Sequence, residues 1–156
     1  HKMAKIDLAN NMSVTQLLDP ATLSATANSD GLDTQFDNGA MIIVNVGESG
    51  DTLSSTVKWD YILQDSPDNS TFTAVTDSTR VTYGAVNSST GVFATVDAAS
   101  EDDAAYTIGY VGPERYVRVA VTKTGTHSNG TPHGVVGLTA PIHKPASGGS
   151  DGSPTG

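Results

Sequence analysis

The chain has 156 residues, and its 17 acidic residues outnumber its 8 Lys and Arg residues to give a formal net charge of −9. Nonspecific affinity for nucleic acid comes mainly from Lys and Arg that neutralise phosphates, so this balance argues against DNA or RNA as a partner. The absence of cysteine excludes disulfides, thiolate metal sites and cysteine nucleophiles.

Three regions are predicted along the chain. Residues 1–11 form an N-terminal arm in which Lys2 and Lys5 are cationic and Ile6 and Leu8 are available for packing. Residues 12–145 are long enough for one domain with a substantial core. Residues 146–156, ASGGSDGSPTG, contain no side chain able to anchor a core and are predicted to be a disordered Gly/Ser-rich tail.

Short segments rich in β-branched residues recur along the domain, separated by Gly, Pro, Asn and Asp clusters such as Asp19-Pro20 and Asp37-Asn38-Gly39. This spacing is typical of an antiparallel β-sandwich or barrel with eight or nine strands. The predicted strands are Ser13–Leu18, Thr22–Ala27, Ala40–Val46, Thr56–Gln64, Phe72–Val75, Gly91–Val96, Tyr106–Val111, Arg115–Thr122 and Val135–Ala140.

Two of these segments show the period of two that marks a half-buried strand. In Thr56–Gln64 the predicted inward residues are Val57, Trp59, Tyr61 and Leu63, with the Trp59 ring as a core anchor and not a ligand platform. In Arg115–Thr122 they are Val117, Val119 and Val121. A tight turn, Gly112-Pro113-Glu114, is predicted to join that strand to Tyr106–Val111.

The titratable residues form no recognisable metal or cofactor motif. His127 and His133 share the glycine-bounded loop GTHSNGTPHG, which predicts that both are exposed. Their spacing of six residues does not match the i,i+4 pattern of a helical zinc site. The acidic run Asp97–Asp103 is interpreted as a solvated loop face or a docking surface for a basic partner. The same interpretation applies to Asp30 and Asp33, and to Asp65, Asp68 and Asp77.

No catalytic signature is present: the sequence contains no GxSxG elbow, no P-loop and no dinucleotide-binding fingerprint. Aromatic residues make up 6% of the chain, which leaves few platforms for sugar hydrolysis. No apolar run approaches the roughly 20 residues of a membrane span. The chain is therefore expected to be a non-enzyme without catalytic residues, cofactor, metal or membrane partner, made and used inside a cell because HKMAKIDLANN lacks a signal-peptide core.

Three segments carry a family resemblance: Trp59–Val75, Tyr106–Thr122 with its Gly-Tyr-Val-Gly and Arg-Tyr-Val-Arg-Val stretches, and Thr124-Gly125-Thr126. In this order they resemble small head proteins of tailed bacteriophages and gene transfer agents. The resemblance implies a jelly-roll-like sandwich on the outside of a capsid whose major protein has the HK97-type fold. It further implies a decoration, cement or spike-base subunit in the virion, made in the bacterial host cytoplasm, that binds the major capsid protein and itself, for example as a trimer.

The contact residues follow as a hypothesis within that family. Lys2, Lys5, Ile6 and Leu8 are expected to let the arm bind the capsid. Arg115 and Arg118 are expected either to pair with carboxylates of a neighbouring subunit or to form a surface pair within the domain, because the planar guanidinium suits both.

Two other functions remain open. The hairpin 65–72 and the Arg-Tyr-Val-Arg-Val strand are also similar to discoidin-type and carbohydrate-binding jelly rolls, which implies a sugar-binding or adhesion module. A tail or adaptor subunit of the same virion is the third possibility.

Overall fold

The computed structural model describes residues 7–141, which form an all-β sandwich of two antiparallel sheets packed against each other. This confirms the predicted fold class. The strands are β1 Ser13–Leu23, β2 Ala27–Asn28, β3 Leu32–Asp33, β4 Asp37–Val46, β5 Lys58–Ser66, β6 Thr73–Ala74, β7 Val81–Thr82, β8 Val92–Val96, β9 Ala104–Tyr110, β10 Tyr116–Thr124 and β11 Thr131–Pro141. Within this range no helix is long and apolar enough to cross a membrane.

The two sheets interleave early and late strands. The first sheet has the order β1-β11-β4-β9-β7. In the second sheet β10 and β5 form the central pair; β2 and β3 pair with β10, and β6 and β8 pair with β5. Each sheet therefore contains strands from both halves of the chain.

The core lies between the sheets and is built from alternate residues of the long strands. The inward positions predicted for the two periodic segments are fully buried in β5 and β10: Trp59, Tyr61, Leu63, Val117, Val119 and Val121. Val57, which precedes β5, is half-buried. Since full burial of one large apolar side chain stabilises a fold by about 1.5–3 kcal/mol, these six positions contribute much of the driving force for folding.

The predicted break between the first two strands was wrong. Ser13–Leu18 and the start of the predicted second strand belong to one strand, β1, which runs through Asp19-Pro20 to Leu23 and pairs with β11. The pairing shifts register between Gln16 and Leu18 and again between Leu18 and Ala21. Proline lacks an N–H, but an edge strand with an irregular register tolerates it, so Asp19-Pro20 interrupts the ladder without turning the chain.

The tight turn predicted at Gly112-Pro113-Glu114 is also absent. β9 pairs with β4 in the first sheet, whereas β10 pairs with β5 in the second. Residues 111–115 therefore carry the chain from one sheet to the other. The hairpin predicted between Trp59 and Val75 does form, since β5 pairs with β6 through Gln64 and Ala74.

Candidate interaction surfaces

A buried hydrogen-bond network contains His133, which was predicted to be exposed. The prediction was wrong because β11 starts at Thr131 and turns the His133 side chain into the core, where only 2% of the residue is accessible. Its Nδ1 lies 3.0 Å from the carbonyl oxygen of Thr131, and its Nε2 lies 2.8 Å from the Tyr61 hydroxyl. A neutral ring with Nδ1–H donating to the carbonyl and Nε2 accepting from Tyr61 satisfies both contacts.

His127 is buried as well, against the ring of Trp59 at a centroid distance of 4.6 Å. Its Nε2 lies 3.0 Å from the carbonyl oxygen of Thr124. Its Nδ1 has no hydrogen-bond partner among the described residues and lies 3.9 Å from a carboxylate oxygen of Asp51. Sequence reasoning placed both histidines in a solvated loop because glycines flank them, and local composition does not report the tertiary contacts that bury a loop.

Burial shifts the titration of the His133 network. Desolvation lowers the pKa of His133 to about 4, because the charged imidazolium is disfavoured away from water. Desolvation also raises the pKa of the Tyr61 hydroxyl. The network is neutral near pH 7 and both ring nitrogens of His133 have partners, so its arrangement serves the core. Among residues 7–141 no group of His, Asp and Glu is placed to hold a metal ion.

Asp65 is the second residue whose environment was predicted wrongly. It lies at the end of β5, is 4% exposed, and accepts hydrogen bonds at one oxygen from Arg80 Nη1 and from the Tyr110 hydroxyl, both at 2.7 Å. Burial and the bond to Asp65 raise the pKa of Tyr110. Asp68 and Asp77 are exposed, as predicted, and their carboxylates accept backbone N–H bonds within their own turns.

The Asp65 cluster borders one end of the sandwich, which we call the arm end because the chain enters β1 there. Cα partners along the first sheet align Ser13 with Thr139, Thr139 with Ala40, and Ala40 with Tyr110. In the second sheet Ser66 partners Tyr116 at the same end. The loops 34–39, 67–77 and 111–115 therefore gather at the arm end.

Two grooves and several exposed apolar side chains mark the arm end. A groove of about 550 Å³ lies between loops 34–39 and 110–115, and one of about 360 Å³ lies beside Asp65 and Arg80. Phe36 in the first of these loops is 73% exposed, and Val111 is 52% exposed. Large apolar side chains this exposed are candidates for contacts with another protein.

Of the residues predicted to contact a capsid, Lys2, Lys5 and Ile6 lie outside the described residues. Leu8 is 62% exposed in a turn that a hydrogen bond from Asn11 N to Leu8 O closes at 3.1 Å. This turn lies ahead of β1, so it leads into the arm end.

The two predicted arginines are engaged within the domain. Arg115 makes a bidentate ion pair with Asp33 at 2.8 and 3.0 Å, and both side chains are well exposed. Arg118 donates from Nε to Gln64 at 2.8 Å, and its guanidinium lies 4.0 Å from the centre of the Phe72 ring. Both arginines thus have partners within the domain, and their contact with a neighbouring subunit stays a prediction.

The opposite end of the sandwich carries the acidic run. The Asp102 carboxylate accepts from the Ser49 N–H at 2.9 Å, and Glu101 accepts from the Asp97 N–H at 2.8 Å. A side-chain hydrogen bond with Glu101 raises the pKa of Asp97, and repulsion between the two carboxylates adds to the shift. Part of the run therefore orders its own loop, while Asp103 is exposed.

A further surface, missed by sequence reasoning, is the outer side of the first sheet. Ile42 and Val44 of β4 point into the core, so Met41 and Ile43 point outward, and each of these two is half-buried. We call the outward aliphatic set the apolar face: Val14, Met41, Ile43, Val136 and Leu138. The signal was present in the sequence, since Met41–Val44 and the Val135-Val136 pair are apolar on both sides of their strands.

Comparison with models of known protein families finds no match, and a search of curated proteins finds no similar sequence.

Proposed function

We propose that this chain is a non-enzymatic virion structural protein that binds the outside of a tailed-phage capsid as a decoration, cement or spike-base subunit. The observation that carries the proposal is the arm end. At that end the chain enters β1, and the same end carries the exposed side chains of Phe36 and Val111 and a groove of about 550 Å³. Exposed apolar side chains around a groove suit a protein partner such as the HK97-type major capsid protein.

The strand order supports the jelly-roll-like architecture that the resemblance implies. β2 and β3 both pair with β10 and can be counted as one segment, and so can β6 and β8, which both pair with β5. With β7 left out, the strands then form eight segments, numbered in chain order. The first sheet then takes segments one, eight, three and six, and the second takes two, seven, four and five. Two interleaved Greek keys of this kind are typical of a double-sheet jelly roll.

The mechanism would be adhesive. The arm and the arm end would bury apolar surface across neighbouring capsid subunits and so oppose the pressure of packaged DNA. A single such contact can be weak, but an oligomer that binds several subunits at once gains from effective concentration. Lys2 and Lys5 would add an ionic contribution if the capsid surface under the arm is acidic.

Deletion of residues 1–10 tests the arm. The variant should lose retention on purified capsids in co-sedimentation while its far-UV circular dichroism and thermal unfolding stay those of the full chain, since β1 begins at Ser13. Undiminished retention of this variant on capsids would contradict the proposed role of the arm. Phe36→Ser tests the arm end itself and should weaken retention on capsids. Tyr83→Ser is the control, because Tyr83 is similarly exposed at 71% but lies outside the loops that line the groove, where the chain runs from β7 away from the arm end.

The other two functions predict different results in parallel experiments. A sugar-binding module would give specific hits on a glycan array and would not co-purify with particles in stoichiometric amounts. A tail or adaptor subunit would co-purify, but labelled antibody would locate it on the tail in electron micrographs. Decoration of the shell requires label over the capsid and no specific glycan binding.

A further inference from the structure

The apolar face is continuous across three strands. The register aligns Val14 with Leu138 and Leu138 with Met41 in one row, and Val136 with Ile43 in the next. Val14 is 67% exposed, and the other four side chains are half-buried by their neighbours in the sheet. Uncharged polar residues border the set: Gln16 beside Val136, Thr107 beside Ile43, and Asn45 further along β4. An apolar centre with a polar rim is the usual anatomy of a protein interface.

The first sheet is also nearly free of charge. Its four long strands contain no Lys or Arg and only two carboxylates: Asp19 in the irregular part of β1 and Asp37 at the first residue of β4. By contrast, the outward positions of β5 and β10 in the second sheet include three charged residues: Lys58, Asp60 and Arg118. In a chain of net charge −9, a whole sheet with so little charge on its outer side is a marked asymmetry.

We propose that the apolar face binds the same face of a second copy of this chain. Two copies that each carry a net charge of −9 repel one another wherever their acidic surfaces meet. The apolar face is where they can approach without placing like charges together. A two-fold pairing makes the surface its own complement, and two twisted sheets can stack face to face as they do inside a sandwich.

The available area is sufficient for such a pairing. The apolar face lies within the outer side of the first sheet, which also includes its polar rim. The four long strands average roughly ten residues at about 3.3 Å per residue and are spaced about 4.8 Å apart, so this whole outer side covers roughly 600 Å². Two copies would bury roughly 1,200 Å² together, which is the lower end of the range for specific interfaces. An interface at this lower end suits a reversible dimer that dissociates on dilution.

Pairing through the sheet edges is disfavoured. At one edge, β1 contains Pro20 and two shifts of register, which break the row of free N–H and C=O groups that another strand would need. At the other edge, β7 is only two residues long and pairs with Gly109 and Tyr110 of β9, so the row of β9 beyond it is only five residues long, and short edges are poor templates for pairing. The flat outer side of the sheet is thus the better surface for a second copy.

Analytical ultracentrifugation of the full chain over a range of concentrations tests the proposal. The wild-type protein should show a reversible dimer. Ile43→Lys should weaken the dimer by roughly 100-fold, since it would bury an unpaired charge in the interface. Val14→Lys should weaken it too, and because this side chain is 67% exposed in the single chain, its replacement leaves the fold intact.

Ile62→Lys is the matched control. Ile62 is also a half-buried isoleucine on the outer side of a central strand, but it belongs to the second sheet. Its substitution should leave the dissociation constant unchanged. A protein that stays monomeric at all concentrations overturns the proposal, as does an oligomer that survives Val14→Lys. Self-association in solution requires no capsid, so this result is independent of the proposed function.

Discussion

His133 shows how one buried side chain ties stability to pH. Its pKa is about 4 in the folded protein and 6.5 in an unfolded chain. Between pH 6.5 and about pH 4, His133 is protonated in the unfolded chain but neutral in the folded protein. The free energy of unfolding therefore falls as the pH is lowered through that range. Below about pH 4 both states are protonated and this contribution stops changing.

We therefore expect stability to fall by about 2 kcal/mol between about pH 7 and pH 5 because of His133 alone. His133→Gln should flatten this part of the profile, because the amide does not titrate. Urea unfolding at a series of pH values measures both proteins. Identical slopes for the two proteins in that window would show that His133 does not control the loss. Carboxylates whose pKa is lowered, such as Asp33 and Asp68, act at lower pH.

The burial of a side chain could be predicted where the alternation of apolar and polar residues along its own strand determines it. Trp59 lies between Lys58 and Asp60, and Val117 lies between Tyr116 and Arg118, so their burial followed from the sequence. Asp65 and His133 sit among turn residues that favour exposure, and only partners far along the chain, 45 and 72 residues away, bury them. The predicted contacts of Lys2 and Lys5 stay predictions, since these residues lie outside the described range.

The strands also fall into those that the sequence predicted and those that it did not. β5 and β10 were predicted from their period of two, and their pairing is the longest register in the second sheet. β3 and β7 have two residues each and form only because a longer strand lies beside them, so no local sequence pattern predicts them. β1 was split at Pro20 because proline usually ends a strand, and its edge position was not visible locally.

The junction between the loop 125–130 and β11 depends on Gly130. Its φ is +83°, and a Cβ there would lie 2.7 Å from the carbonyl oxygen of Leu23. Its N–H donates to Asp51 at 2.7 Å. Gly130→Ala should therefore lower the free energy of unfolding by about 1–3 kcal/mol in chemical denaturation.

Gly134→Ala, four residues further along β11, is the control for that substitution. The nearest atom to a Cβ at Gly134 is Pro20 Cγ at 3.4 Å, an ordinary contact, and its φ is outside the left-handed region. Its effect should stay within about 1 kcal/mol. Equal losses at the two glycines would mean that the backbone conformation at Gly130 is not what this junction requires.

The molecule as a whole has an uneven distribution of charge. Charged residues are concentrated at the two ends: the three arginines lie at or near the arm end together with carboxylates such as Asp33 and Asp65, and the acidic run Asp97–Asp103 lies at the opposite end. The outer side of the first sheet between them is nearly neutral. The two proposed contacts therefore differ in kind. The proposed contact of the cationic arm with an acidic capsid surface would be partly ionic, whereas the proposed contact through the apolar face would be opposed by the net charge of −9.

Salt should consequently act on the two contacts in opposite directions. Raising the ionic strength from about 0.1 M to about 1 M shortens the Debye length from about 10 Å to about 3 Å. Retention on capsids through Lys2 and Lys5 should weaken, and self-association through the apolar face should strengthen several-fold. Co-sedimentation and ultracentrifugation over one salt series measure both. Self-association that weakens with salt would indicate an ionic interface elsewhere on the surface.

The adjacency of β1 and β11 has a mechanical consequence. Because Ser13 partners Thr139, the chain enters and leaves the sandwich side by side at the same end. A pull that separates the two ends of the chain would load the β1–β11 ladder from its terminus and unzip its hydrogen bonds one pair at a time. A pull between the arm and the acidic end would instead shear that whole ladder at once, which takes far more force. A subunit tethered by its arm thus resists load that reaches it from its far end.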